Sequence, residues 1–176
     1  MGALEGMRCL LSDNFPHLVV DVVMPQEDFD AHVFWVMGKT EENFSDTTDC
    51  IILLDAPRLT RTALPLEVFA DKKVLCIDHH ESFEDSIPGY VDSHASATCL
   101  ILTEMALTLG WKISVQAATA LLMGIYTDTG GFIHRSTDTR SFVAAAELMR
   151  LGADQVRIST EVFGNYTLPY LHDLGR

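Results

Sequence analysis

Three short strings carry most of the chemistry open to this sequence. The apolar run at residues 50–54 (CIILL) is followed by Asp55, the run at 73–77 (KVLCI) by Asp78-His79-His80, and an Ala- and Leu-rich segment by Thr127-Asp128-Thr129-Gly130-Gly131. A lone aspartate behind a strand is ordinarily a turn former or a helix cap, and that reading stands for Asp55 taken alone. Two adjacent imidazoles behind an aspartate suit a metal ion or a phosphate, with the carboxylate orienting one ring. Exposed loop histidines are the plain alternative. Asp128 reads either as a helix end before a turn or as a ligand beside two glycines that let backbone come close. Asp55, His79 and Asp128 together form a hard oxygen and nitrogen donor set without sulfur. Such a set suits Mn²⁺, Mg²⁺ or Fe²⁺, and accommodates Zn²⁺.

These residues act together only if the chain brings them to one rim. CIILL and KVLCI are short continuous apolar runs, as expected of strands buried on both faces. Helical patterns are expected at residues 4–11, 28–37, 59–70, 96–109, 114–125 and 136–151, and in the tail from 154 with a break at Pro169. Residues 17–24 (HLVVDVVM) read as a strand, residues 40–49 as a loop, and residues 90–92 as an extension of the sheet. Strands alternating with helices imply an α/β domain with a mostly parallel sheet flanked by helices. In such sheets ligands bind outside the carboxyl ends of the strands, and Asp55 and Asp78-His79-His80 follow two of those ends.

Composition narrows the function classes. With 12 Lys and Arg against 25 Asp and Glu the net charge is −13, which argues against long duplex nucleic acid, whose binding rests on neutralised phosphates. Most of the acidity reads as a solvated surface. No apolar run approaches the length of a membrane helix. The 176 residues suit one domain. Cys9, Cys50, Cys76 and Cys99 form no CxxC pair and sit in apolar contexts, so buried free thiols in the cytoplasm are expected. No basic segment followed by an apolar one opens the chain, so no signal peptide is expected.

The ordered series LLDA, IDHH, YVDSHASAT, GIYTDTGGF and LMRLGAD closely resembles the DHH phosphoesterases over nearly the whole chain. That superfamily includes RecJ-type exonucleases, oligoribonucleases that also dephosphorylate phosphoadenosine phosphate, cyclic-dinucleotide phosphodiesterases and manganese-dependent inorganic pyrophosphatases. The resemblance implies two-metal hydrolysis of a phosphoester or phosphoanhydride, with the cations about 3.5–4 Å apart. It makes Asp55 the carboxylate that bridges both metals, with His79 and Asp128 completing one metal's ligands. Asp78 becomes an acidic partner of the site, and His80 a donor to the scissile phosphate. Ser96 and Thr98 match a hydroxylated stretch opening a helix, where an anion binds well, although ordinary capping explains them equally. Arg135 becomes a phosphate contact, against the plainer reading of a solvated surface arginine. His94 and His134 are secondary candidates for lining the cleft.

One departure matters. The family begins with a strand ending in His-x-x-x-Asp-x-Asp, which supplies the other metal's ligands, and these 176 residues contain no such string. The first strand is therefore expected to be missing, as is the C-terminal substrate-binding domain of many members. The sheet would then carry an open edge that a second copy could cover. The expected function is Mn²⁺-dependent hydrolysis, with Mg²⁺ as a substitute, of a small phosphorylated nucleotide or short oligonucleotide, impaired in this chain. The alternatives are a non-catalytic nucleotide- or protein-binding remnant and a pyrophosphate or polyphosphate hydrolase.

Overall fold

A computed structural model describes residues 1–24, 41, 44, 45, 47–62, 64–82 and 86–164. Helix α1 (Gly2–Asn14) leads to strands β1 (Cys50–Leu54), β2 (Lys73–Asp78) and β3 (Gly89–Val91). Four helices follow: α2 (Thr98–Thr108), α3 (Val115–Asp128), α4 (Thr139–Arg150) and the short α5 (Gln155–Ser159), which runs into a π-helical turn at Thr160–Gly164. The strands form one sheet in the order β1-β2-β3, and both pairings are parallel. Cys50 pairs with Lys73 through to Leu54 with Ile77, and Cys76 pairs with Gly89 through to Asp78 with Val91. The register sets the carboxyl end of β1 beside that of β2, so Asp55 and His79 leave the sheet at the same rim.

Side chains alternate across β1, and each face meets its own core. Leu54 and Ile52 join the large cluster built by α1–α4, which includes Leu10, Leu100, Leu102, Leu121, Ile125 and Leu148. Ile51 and Leu53 face a smaller cluster with Phe69, Cys76 and Ile87. The expectation of two-sided burial holds for β1 but only partly for β2, where Leu75 is 42% exposed. Helices α1 and α3 approach closely because glycines line the seam. A Cβ on Gly2 would lie 2.6 Å from the Ala120 carbonyl oxygen, and one on Gly124 would lie 2.1 Å from Cys99 Sγ, where α3 meets α2.

Helix ends follow the capping chemistry of the sequence. Ser114 accepts from the Ala117 N–H at the start of α3. Asp138 and Ser141 form a reciprocal capping box at the start of α4. Three expectations are corrected. Residues 59–70 form two single 3₁₀ turns, Leu59–Arg61 and Leu66–Phe69, in place of one helix. Pro65 biases the residue before it away from helical backbone, and Thr62 Oγ1 takes the Leu59 carbonyl while accepting from the Leu64 N–H. In residues 17–24 the described pairing is a single parallel bridge from Val23 to Glu41, and Val19 is 91% exposed. Cys50 is exposed at the start of β1, whereas Cys9, Cys76 and Cys99 are buried; all four are free thiols. The expected helix at residues 28–37 and the tail beyond residue 164 lie outside the described residues. No helix among the described residues is long and apolar enough to cross a membrane.

Candidate metal centre

Asp55 is the first residue past β1, and its backbone turns through φ +61°. That left-handed region is uncommon for a side chain other than glycine, and aspartate tolerates it better than most. Its N–H donates to the Ile77 carbonyl at 3.2 Å, which continues the ladder for one more residue. Asp55 Oδ1 accepts from the Thr98 hydroxyl at 2.9 Å and lies 3.4 Å from His79 Nε2.

The His79 ring is fixed from behind. Its Nδ1 lies 3.2 Å from the Ala95 carbonyl oxygen. A carbonyl only accepts, so Nδ1 carries hydrogen and Nε2 faces Asp55. The hydrogen bond with Asp55 raises the His79 pKa to about 8; burial opposes this and the Ala95 carbonyl reinforces it. Burial pushes Asp55 upward, but the bonds from His79 and Thr98 outweigh it and hold the carboxyl below its ordinary value. The two therefore form an ion pair near neutral pH.

Asp78 closes β2 and is fully buried. Its Oδ1 accepts from the His80 backbone N–H at 2.7 Å and from His80 Nδ1 at 2.6 Å. Asp78, expected as an acidic partner of the site, thereby orients the half-exposed His80 ring through Nδ1. Its other oxygen, Oδ2, is buried with no hydrogen-bond partner among the described residues. The His79 and His80 rings meet edge-on with centroids 4.7 Å apart.

Asp128 ends α3. Burial, and then the charge on Asp55, raise its carboxyl to about 6, while His79 pulls the other way. Asp128 is thus within the electrostatic reach of Asp55 and His79. Among the described residues the tightest constellation is a different triad: Asp55, His79 and His80 each offer a ligand atom, all within 4.8 Å of one another. Behind Asp128, its carbonyl oxygen lies 3.0 Å from His134 Nδ1. Gly130 (φ +59°) leaves room for that ring, since a Cβ there would lie 2.4 Å from His134 Nε2.

Of the remaining sequence candidates, Thr98 joins the site and the others lie apart from it. Thr98 is buried at the start of α2 with its hydroxyl on Asp55. Ser96 is also buried, with its hydroxyl 2.8 Å from that of Ser141. Arg135 and His94 are exposed, and the His94 N–H donates to Asp92 Oδ1. Sequence reasoning missed the Ala95 carbonyl and the side chains of Asp92 and Arg140. A backbone acceptor has no residue-type signature, and Arg140 lay in a stretch legible only as helix capping.

The donor chemistry and spacing fit a hard divalent cation: one carboxylate oxygen and imidazole nitrogens converge, a second carboxylate with its pKa raised to about 6 stands within electrostatic reach, and among the described residues no thiol joins the cluster.

The family model for the DHH family, N-terminal domain, matches residues 1–125, and the chain belongs to this family. It is 28% identical over 180 residues to the bifunctional oligoribonuclease and PAP phosphatase NrnA of Mycoplasma pneumoniae, covering 92% of this chain and 52% of that protein. The namesake protein of Mycoplasma genitalium is 31% identical over 159 residues, covering 88% of this chain and 50% of that one. Among solved structures, an exopolyphosphatase-related protein from Bacteroides fragilis superposes with a TM-score of 0.85 at 25% identity, over 99% of this chain and 55% of that one. The chain spans about half the length of the curated relatives it matches.

Proposed function

We propose that this domain, residues 1–176, is the metal-binding core of a phosphoesterase acting on short oligonucleotides or small phosphorylated nucleotides, with Mn²⁺, or Mg²⁺ in its place, as the resident cation. The observation that carries the reading is the approach of Asp55 Oδ1 to His79 Nε2 at 3.4 Å, at the shared rim of two parallel strands. Family membership and the names of the Mycoplasma relatives support the substrate class. The four free thiols suit a cytoplasmic setting.

Asp55, His79 and Asp128 would hold one cation, with Asp55 shared toward a second. Bound there, the cation supplies Lewis-acid stabilisation of phosphate oxygens and lowers the pKa of water. Asp55 arrives pre-oriented by Thr98, and His79 presents Nε2 because Ala95 engages Nδ1. His80 Nδ1–H is tied to Asp78, so its Nε2 is the atom left to meet a phosphate oxygen, as a donor when the ring is protonated. Ser96 and Arg135 remain part of the reading as substrate-side residues, Ser96 through the loop it anchors and Arg135 as an exposed cation after the glycine pair.

The described residues provide one ligand cluster at Asp55, and the 176 residues hold no His-x-x-x-Asp-x-Asp string for a second cation. One carboxylate does not hold a second hard cation against water, which such ions bind strongly. Hydrolysis by these residues alone is therefore slow, and a second copy covering the β1 edge of the sheet is part of the same reading. The test compares this chain with one extended N-terminally through such a motif, assayed with Mn²⁺ on a dinucleotide, a mononucleotide bisphosphate and pyrophosphate. Faster turnover of the first two by the extended chain supports the reading. Equal turnover by both chains, or turnover of pyrophosphate alone, contradicts it.

A further inference from the structure

The loop at residues 92–97 does two jobs at the site: it delivers the Ala95 carbonyl to His79 Nδ1, and it leads into Thr98, whose hydroxyl sits on Asp55. A six-residue loop at a sheet rim has no ladder of its own to hold such acceptors in place. Its fixings are therefore the part of the structure that decides where His79 points.

At its start, the Asp92 N–H donates to the Asp78 carbonyl at 3.1 Å, and the Ala95 N–H donates to the Asp92 carbonyl at 3.0 Å. The Asp92 side chain works in two directions. Oδ1 accepts from the His94 N–H at 3.0 Å, and Oδ2 accepts from Arg140 Nη2 at 2.7 Å. Arg140 also holds Glu104 on α2 through two bonds, Nε to Oε1 at 2.8 Å and Nη2 to Oε2 at 2.6 Å. One guanidinium thus ties the loop to α2 and α4 at once, with the planar fork geometry that a lysine cannot reproduce.

The second fixing lies beside Ala95. Ser96 and Ser141 are both buried, with their hydroxyl oxygens 2.8 Å apart. The direction of that bond follows from proton counting. Ser141 Oγ lies 3.0 Å from Asp138 Oδ1 and spends its single hydrogen on that carboxylate. It keeps two lone pairs, one of which accepts from the Asp138 N–H at 3.4 Å. Ser96 must therefore donate to the other. The first turn of α4 grips the loop at both ends, through Arg140 at Asp92 and through Ser141 at Ser96.

We infer that Arg140 and Ser141 are positioning residues for His79: the first turn of α4 clamps the 92–97 loop so that the Ala95 carbonyl holds the His79 ring with hydrogen on Nδ1 and Nε2 directed to the cation. The inference rests on the metal-site reading above. Removing outer hydrogen-bond partners of a ligating histidine typically weakens metal binding 10- to 100-fold.

The test uses the full chain as wild type, Ser96→Ala, Arg140→Met and, as a control, Arg150→Met. Arg150 lies exposed on the same helix, where among the described residues it pairs with the half-buried Glu147. Two quantities are read. The first is the His79 tautomer in metal-free protein, from long-range proton–nitrogen NMR recorded well above the His79 pKa of about 8, with the resonance assigned by His79→Gln. The second is the Mn²⁺ dissociation constant by calorimetry. The expected result is a single Nδ1–H tautomer in wild type and Arg150→Met, a tautomer mixture in Ser96→Ala and Arg140→Met, and Mn²⁺ binding about 10- to 100-fold weaker in those two. A merely structural role would lower the Tm without redistributing the tautomers. If Arg140→Met does not fold, the small buried change Ser96→Ala decides. Retention of the wild-type tautomer, or an unchanged dissociation constant, in a folded Ser96→Ala overturns the inference. If wild type binds no Mn²⁺ at all, the metal-site reading fails on its own, and the tautomer comparison still decides whether α4 positions His79.

Discussion

Thr98 and His79 meet on a single atom: Asp55 Oδ1 accepts from the Thr98 hydroxyl at 2.9 Å and lies 3.4 Å from His79 Nε2. The carboxylate that the site depends on is held by one neutral donor from the start of α2 and one imidazole from the end of β2. Replacing Thr98 with valine keeps the buried shape and removes the donor. Thr98→Val is expected to weaken Mn²⁺ binding about 10-fold and to cost about 1–2 kcal/mol of stability. Calorimetry and urea unfolding check the two effects separately.

The Asp128 carboxyl is raised to about 6 by burial and by the Asp55 charge. Between the ordinary carboxyl value of about 3.9 and that folded value, the native state binds more protons than the unfolded chain, so stability falls as pH rises from about 4 through about 6. Asp128→Asn removes this dependence. In chelator-treated protein the variant is expected to be more stable than wild type at neutral pH, by about 1–3 kcal/mol, and no more stable at about pH 4. Urea unfolding across that window measures it; parallel curves for the two proteins would show that Asp128 carries no such strain.

Much of this site was legible from local pattern, and the exceptions have physical causes. CIILL and KVLCI could be read as neighbouring strands because continuous apolar runs of that length suit two-sided burial. The aspartate and histidines behind them then had to share a rim. Residues 59–70 misled because apolar spacing suggests a helix while Pro65 and the Thr62 hydroxyl settle the backbone into short turns. Ser96 looked like a substrate-side hydroxyl, yet its partner Ser141 lies 45 positions away. Arg140 was invisible for the same reason, since its carboxylates are 36 and 48 positions distant. Interactions at that separation leave no periodic trace in a single sequence.

The α2–α3 contact offers a test of packing rather than of chemistry. A Cβ at Gly124 would lie 2.1 Å from Cys99 Sγ, and Cys99 is fully buried with its thiol pushed well above the ordinary range by desolvation. Gly124→Ala is expected to destabilise the fold by about 1–3 kcal/mol. Adding Cys99→Ala should recover part of that loss, because the two side chains compete for one space. A double-mutant cycle by thermal or urea unfolding reads the coupling, and strict additivity would place the strain elsewhere.

His80 Nδ1 is engaged by Asp78 at 2.6 Å, which leaves Nε2 to meet a phosphate oxygen, the role proposed for the ring. His80→Ala is expected to spare Mn²⁺ binding and to reduce hydrolysis about 10²-fold in an N-terminally extended, active chain, the loss common for one transition-state donor. Parallel calorimetry and turnover measurements separate the roles. Abolished Mn²⁺ binding would make His80 a ligand, in keeping with its place in the triad with Asp55 and His79.

In the proposed site Asp55, His79 and Asp128 hold one hard cation, although Asp128 lies outside the tightest triad among the described residues. Titration calorimetry with Mn²⁺ on wild type and Asp128→Ala tests it most directly. The expected result is one weak site in wild type, with heat that disappears or a dissociation constant at least about 10-fold higher in the variant. Mn²⁺ binding of unchanged strength in Asp128→Ala would contradict the assignment and leave Asp55, His79 and His80 as the ligands.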